Sequence, residues 1–486
     1  MIFSLYAMMQ FYILGIGYVN MQIPILTGVY TDETANFREA YPVNMVPVAM
    51  QSGISNGYLR TADGAIATGS GEGAPRGGIN WNGELYRVSG TKLVKIASDG
   101  THTVLGDVGA GSQATLVYSF DRLAICSGGN LYYWNGTTLD QVVDADLGTS
   151  LAVVWVDGYF MSTDGTYLVV TDLNNPMSVN PLKYGSSEID PDPIKTIIKL
   201  RTEVVAVNRY TLEAFSNVGG AGFPFQRIEG AQIQKGALGT HCAVEFADTV
   251  AFLGSGRNET PAIYMGLNGT VVKISTLGID GLLEGYTEAE LATVVMETHI
   301  HQSHPQLWVR LPDRTLCYDI DATKSTGVPA WFVLSSAPTG FGAYRVVDPV
   351  WCYDKWTVCD VDTGDFGELT TNSSHHFGTI VPWEFTTTIV YNEGRGVLWN
   401  RLELVCLTGR VDIGSDPVIA TNYSLDGELW SEERIIHAGE AGDRMRRLVW
   451  FRQGLMRHWR IQRFIGDSHS RLAVARLEVT LEPLAV

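Results

Sequence analysis

Gln113 to Leu147 reads QATLVYSFDRLAICSGGNLYYWNGTTLDQVVDADL. Short aliphatic and aromatic runs alternate here with turn signals. Gly128-Gly129-Asn130 leads into Leu131-Tyr132-Tyr133-Trp134, and Asn135-Gly136 turns again. The preceding stretch, Ile79 to Val108, has the same build, with Asn82-Gly83 as its hairpin signal before Leu85, Tyr86 and Val88. Further units start near Leu151, Ile194, Leu238, Ala292 and Tyr344. The starts lie about 34 to 54 residues apart, close to the repeat of a four-stranded propeller blade. A single blade cannot bury both of its faces, whereas radial closure covers each with a neighbour and leaves only short edges. The expected fold is therefore mainly β: a β-propeller of about seven blades over residues 79–376. A run of β-sandwiches of similar spacing is the competing architecture.

From Thr379 onward the pattern changes. Six strand-like runs (Trp383 to Tyr391, Leu398 to Leu407, Val418 to Tyr423, Arg446 to Phe451, Arg457 to Phe464, Leu472 to Leu481) predict a C-terminal β-sandwich-like domain over 377–486. Residues 21–78 are expected to form an N-terminal segment packing on the propeller. Thr287 followed by Glu290 is a capping box and predicts a short helix between blades. Residues 1–20 carry no charge, but they lack the basic start of a signal peptide and the flanking cations of a membrane span. They are expected to be an upstream extension, with the natural chain starting at Met21.

The composition fits many short strands: 52 glycines for turns, 12 tryptophans and 21 tyrosines for pleated surfaces, and only 18% charged residues. A net charge of −18 argues against general nucleic-acid binding. The cysteines (Cys126, Cys242, Cys317, Cys352, Cys359, Cys406) form no CxxC pair and read as buried free thiols. Charge is uneven, however. Arg434 to Arg476 holds ten arginines against Glu440, Asp443 and Asp467, a net +7, which leaves −25 for the remainder. A DNA-facing patch is one reading. Pairing with the acidic propeller of a neighbouring subunit is the preferred one, because Arg forks suit interface carboxylates. The interface candidates are Arg444, Arg446, Arg447, Arg457, Arg460 and Arg463.

Other motifs carry less. Gly69 to Gly78 lacks the Gly-Lys-Ser/Thr ending of a phosphate loop, and Pro75 denies it a helix to cap. Glu297, His299 and His301 would share a strand face, but neighbours two apart diverge and no cysteine completes a familiar ligand set, so no metal ligand is assigned; His304 lies nearby. The enzyme alternative is a carbohydrate-binding or glycoside-hydrolysing propeller. Ser162-Thr163-Asp164-Gly165 and Ser424-Leu425-Asp426-Gly427 only approach an Asp-box turn, and there is no GxSxG or HExxH. No catalytic residue and no cofactor is expected.

Several ordered stretches resemble one family. They are Tyr41-Pro42-Val43-Asn44-Met45, Gly57-Tyr58-Leu59-Arg60, Gln234 to Phe252 (QKGALGTHCAVEFADTVAF) and Tyr286 to Asp321 (YTEAELATVVMETHIHQSHPQLWVRLPDRTLCYDID). Together they are similar to the packaged-DNA-stabilisation proteins, the tail hubs of short-tailed lambdoid phages. The likeness is clearest from Met21 to about Asp321 and weaker to the end; residues 1–20 have no counterpart. The resemblance implies a non-enzymatic virion protein assembled in the host cytoplasm. It implies a homo-hexamer below the portal and its adaptor ring, carrying the tail needle, contacting the tailspike and keeping packaged DNA from leaking. It implies neither membrane association nor sequence-specific DNA binding.

Overall fold

The computed structural model describes residues 18–31, 36–49, 55, 57–173, 175–220, 222–393 and 395–484. The expectation for residues 1–20 falls mostly outside them, but Val19–Ile23 is a strand in which Val19 and Asn20 pair with Leu481 and Thr480.

Seven antiparallel sheets follow one another from residue 75 to 370. Blade 1 runs from Pro75–Trp81 to His102–Asp107, blade 2 from Thr115–Tyr118 to Leu139–Gln141, and blade 3 from Ala152–Val156 to Asn175–Ser186. Blade 4 runs from Ile194–Leu200 to Phe225–Arg227, blade 5 from Gly236–Ala237 to Thr270–Lys273, and blade 6 from Val295–His301 to Ala330–Leu334. Blade 7 starts at Val346–Cys352. In blade 5 the inner edge is split between Gly236–Ala237 and Ala243–Phe246, both pairing with Thr249–Ser255. The inner strands touch their neighbours all the way round, and that of blade 7 meets that of blade 1. This closed ring of seven is the propeller.

Period-two alternation explains the packing. In blade 2, Leu123, Ile125, Tyr132 and Trp134 face blade 1 and meet Trp81, Tyr86 and Val88. The intervening Ala124, Cys126, Leu131 and Tyr133 face blade 3 and meet Val153, Phe160 and Val169. The central strands Leu123–Ser127 and Asn130–Trp134 are thus apolar on both sides, and the core is a ring of inter-blade clusters. Every fully buried large side chain in them contributes about 1.5–3 kcal/mol. All six cysteines are free thiols, five of them buried. The Asn82-Gly83 signal acts as read: both residues have positive φ, 55° and 79°, and Trp81 pairs with Glu84 across them.

The seam of the ring differs from the sequence expectation. The outer strand of blade 7 is Gly64–Gly69, paired with Phe366–Thr370. Residues 21–78 therefore do not form one segment packed on the propeller. They supply Gly64–Gly69 to blade 7 and Pro75–Trp81 to blade 1, while Met45–Val48 and Tyr58–Thr61 enter the C-terminal domain. The physical reason is the unpaired edge that blade 7 would otherwise leave; a strand from before blade 1 fills it.

The C-terminal domain is a sandwich of two antiparallel sheets. One contains Met45–Val48, Tyr58–Thr61, Ala473–Pro483, Val397–Leu407 and Leu448–Met456 in that order, with Val19–Ile23 also on Ala473–Pro483. The other contains Pro382–Thr386, Trp459–Asp467, Val418–Ser424 and Arg434–His437, with Val390–Tyr391 also on Trp459–Asp467. Between them lie Trp383, Trp399, Trp450, Phe385 and Phe464, joined by Ile23, Met45 and Leu59 from the N-terminal strands. Helices are few. Leu277–Leu283 and Glu288–Leu291 bridge blades 5 and 6, the latter with the expected capping box: Thr287 N donates to Glu290 Oε2 at 2.8 Å, and Glu290 N to Thr287 Oγ1 at 3.3 Å. Ile320–Thr326, which the sequence reading does not foresee, starts on Asp319 and ends at Gly327 with φ 71°. Among the described residues no helix is long and apolar enough to cross a membrane.

Candidate functional site

The six candidate arginines do not make one patch. Arg460 is fully buried between the rings of Tyr423 and Trp399, at 3.8 and 4.2 Å. It donates to Gln462 Oε1 at 2.9 and 2.7 Å and to Gln453 O at 2.7 Å, and burial pulls its ionisation down to about 9. Arg463 is half-buried, stacks on Trp430 at 4.2 Å and donates to Asn422 Oδ1 at 2.9 Å. These two side chains build the domain from inside. Arg447 is exposed but donates twice to Glu403, at 2.8 and 2.7 Å, which holds the Glu403 carboxyl below its usual range.

Arg444, Arg446 and Arg457 remain, all exposed. Arg444 and Arg446 precede the nine-residue strand Leu448–Met456 and Arg457 follows it. At about 3.3 Å per residue the strand holds the two groups roughly 30 Å apart.

A second constellation sits where the inner strands converge. Asp348, in blade 7, has φ 54° and is buried. Its carboxylate accepts from Gly77 N of blade 1 at 3.0 Å and from Gln113 Nε2, just ahead of blade 2, at 2.7 Å. Its backbone N–H reaches both carboxylate oxygens of Glu297 in blade 6 at 3.3 Å, and its carbonyl accepts from Arg87 Nη1 at 2.9 Å. Arg310 Nη1 lies 2.7 Å from Glu297 Oε1 and 3.8 Å from Asp348 Oδ1. Burial pushes Glu297 up to about 7 against the pull of Arg310, and the Asp348 carboxylate adds to the rise. Arg76 extends the network by donating to Ser112 O, Gly90 O, Gly109 O and Ser127 Oγ at 2.6–2.9 Å. Paired polar groups thus fasten blades 6, 7 and 1 and the lead into blade 2 to one another. Glu297 was weighed as a metal ligand from sequence; Asp348 and Gln113 carry no local signal.

The remaining motifs have structural uses. Glu297, His299 and His301 are all buried on one strand but engage different partners. His299 packs on Trp356 and Trp308, with ring centroids at 4.5 and 5.0 Å, and burial lowers it to about 3; His301 lies 3.3 Å from Asp63. The glycine run 69–78 is the crossover from blade 7 to blade 1, where a Cβ on Gly71 would come within 2.1 Å of Gly364 O. The Asp164 carboxylate accepts from Thr166 N and Tyr167 N, and that of Asp426 from Glu428 N and Leu429 N, all at 2.7–3.0 Å. Both aspartates close their own turns.

Comparison with known proteins agrees with this two-part architecture. Residues 21–374 match the family model described as bacteriophage P22 Gp10, beta-propeller, and residues 382–482 match bacteriophage P22 Gp10, beta-sandwich. The tail hub protein gp10 of Salmonella phage P22 is 28% identical over 469 residues, covering 92% of this chain and 95% of that protein. Among solved structures, the N-terminal domain of Nup159 (9% identity, 63% of this chain and 95% of that one) and PorZ of Porphyromonas gingivalis (10% identity, 77% and 46%) both give a TM-score of 0.39, too low to support any argument. Matched in order by both the propeller and the sandwich of that family, the chain belongs to the bacteriophage P22 Gp10 family.

Proposed function

We propose that this chain is a structural subunit of a phage tail hub: six copies form a ring that joins the portal and its adaptor to the tail needle, contacts the tailspike and retains packaged DNA. The observation that carries the reading is the ordered match of both domains, together with a P22 relative named a tail hub protein along nearly the whole chain. Assembly takes place in the host cytoplasm and the finished protein resides in the virion tail. Its role is mechanical and no catalytic group is assigned.

Two physical features support the ring. The net charge of −18 lets acidic walls repel phosphates and keeps DNA from sticking during ejection. Arg444, Arg446 and Arg457, exposed on the sandwich, are the side chains available for a neighbour's carboxylates.

Native mass measurement of the purified protein, alone and with the adaptor, tests this. Six copies per ring, and loss of DNA from particles lacking the protein, are expected. A protein that stays monomeric with the adaptor and binds glycans would overturn the reading in favour of a carbohydrate-active propeller.

A further inference from the structure

Where the chain leaves blade 7 and enters the sandwich, His375, Asp412 and His469 bring one ligand atom each within 4.8 Å of one another, the one such group among the described residues. His375 Nε2 lies 2.7 Å and His469 Nδ1 3.1 Å from the same oxygen, Asp412 Oδ2. The two rings meet edge to face with centroids 5.1 Å apart. We propose that these three side chains bind a divalent transition-metal ion of the zinc class, cross-linking the propeller to the sandwich.

The donor set selects the ion. Two imidazoles and one carboxylate suit zinc, cobalt or nickel, whereas calcium and magnesium demand oxygen ligands. Metal–ligand distances of about 2.0–2.1 Å in a tetrahedron place ligand atoms roughly 3.4 Å apart. The present separations of 2.7 and 3.1 Å reach that value with small side-chain rotations. Binding replaces two hydrogen bonds to Asp412, so the nitrogen facing the ion must be free of its proton. For His375 the means is at hand: Ser468 Oγ lies 2.7 Å from Nδ1 and can accept the proton there, turning Nε2 toward the ion. Ser468 is itself fixed, because Val381 N donates to it at 3.0 Å. His469 N donates to Asp467 Oδ1 at 3.0 Å and Asp412 N to His469 O at 3.1 Å, which set the two sandwich loops. All three ligands are only half-buried, so water completes the fourth position.

The site spans two units. The His375 carbonyl accepts from Ala65 N, in the outer strand of blade 7, at 2.9 Å. Asp412 and His469 belong to sandwich loops. An ion held by both sides braces the joint, and this inference stands independently of the tail-hub reading. Its ligands lie 37 and 57 residues apart in sequence, so no spacing motif announces them.

The test is titration of the chelator-treated full-length protein with Co²⁺, followed by visible absorption and by displacement with Zn²⁺. One equivalent is expected to give the intense spectrum of a four-coordinate site, and Zn²⁺ to remove it. His469→Ala should abolish the spectrum; Ser468→Ala, which keeps all three ligands, should weaken binding ~10–100-fold. Circular dichroism shows whether each variant folds, and the Ser468→Ala arm decides should His469→Ala fail to. Only the weak octahedral spectrum of free Co²⁺, or equal binding by wild type and the folded variants, would overturn the proposal.

Discussion

Asn44 and Ser335 exchange two hydrogen bonds: Asn44 Nδ2 donates to Ser335 O at 2.9 Å, and Ser335 N donates to Asn44 Oδ1 at 3.0 Å. The same amide donates to Pro382 O at 2.7 Å. One buried side chain thus ties the N-terminal segment to the end of blade 6 and to the start of the sandwich, from a backbone at φ 52° that Asn tolerates better than most residues. Asn44→Ala leaves a buried N–H and two carbonyls without this partner. A loss of about 3 kcal/mol is expected in denaturant unfolding, and Asn44→Asp should do no better, because its second carboxylate oxygen would face the Ser335 and Pro382 carbonyls.

Glu297 gives the protein a pH-dependent element. Its folded ionisation, about 7, lies above the ordinary 4.5, so its contribution is fully present below pH 4.5 and is lost as pH rises through 7. Glu297→Gln cannot titrate. Thermal melts between pH 5 and 8 should show a smaller fall in Tm for the variant, even though its absolute Tm is lower because Arg310 keeps only the Asp348 carboxylate as a charged neighbour. An unchanged slope would refute this assignment.

The arginines should separate by role. Arg460→Met strands the Gln462 amide and the Gln453 carbonyl in the sandwich interior and should cost about 3 kcal/mol of stability. Arg444→Glu and Arg446→Glu sit on the exposed loop and should change monomer stability by only ~0.5 kcal/mol. Their effect belongs in assembly: native mass spectra across a salt series should show fewer complete rings. Salt-indifferent rings in wild type would remove the ion-pair explanation.

The seam makes a prediction about fragments. Residues 79–376 lack the outer strand of blade 7 and most of the first strand of blade 1. Expressed alone, that fragment should aggregate through its open edges. A fragment of residues 62–376 contains seven complete sheets and should give the larger soluble yield on centrifugation.

Legibility in the sequence followed the range of the interactions. The turn at Asn82-Gly83, the apolar run Leu131–Trp134 after its glycine turn and the Thr287/Glu290 cap are local, and each could be read from a few adjacent residues. The strand Arg434–His437 was missed because it is short and largely exposed, with no buried face to set a period. Gly64–Gly69 pairs across some 300 residues, and nothing in its composition names its partner. The arginine segment shows the same limit for sites. Composition located the excess charge, but burial under Trp399 and Tyr423 removed Arg460 from the surface, and that burial depends on strands far away in the chain.

The pairing of Val19–Ile23 with Ala473–Pro483 fixes a schedule for synthesis. On the ribosome the first strands emerge long before their partners. Blade 7 can be completed once Thr370 is out, but the larger sandwich sheet must wait for the final strand. A chain cut short by premature termination therefore leaves Tyr58–Thr61 and Val397–Leu407 without the strand that joins them and cannot finish that sheet. Completion of the larger sandwich sheet is therefore the last folding event that synthesis allows.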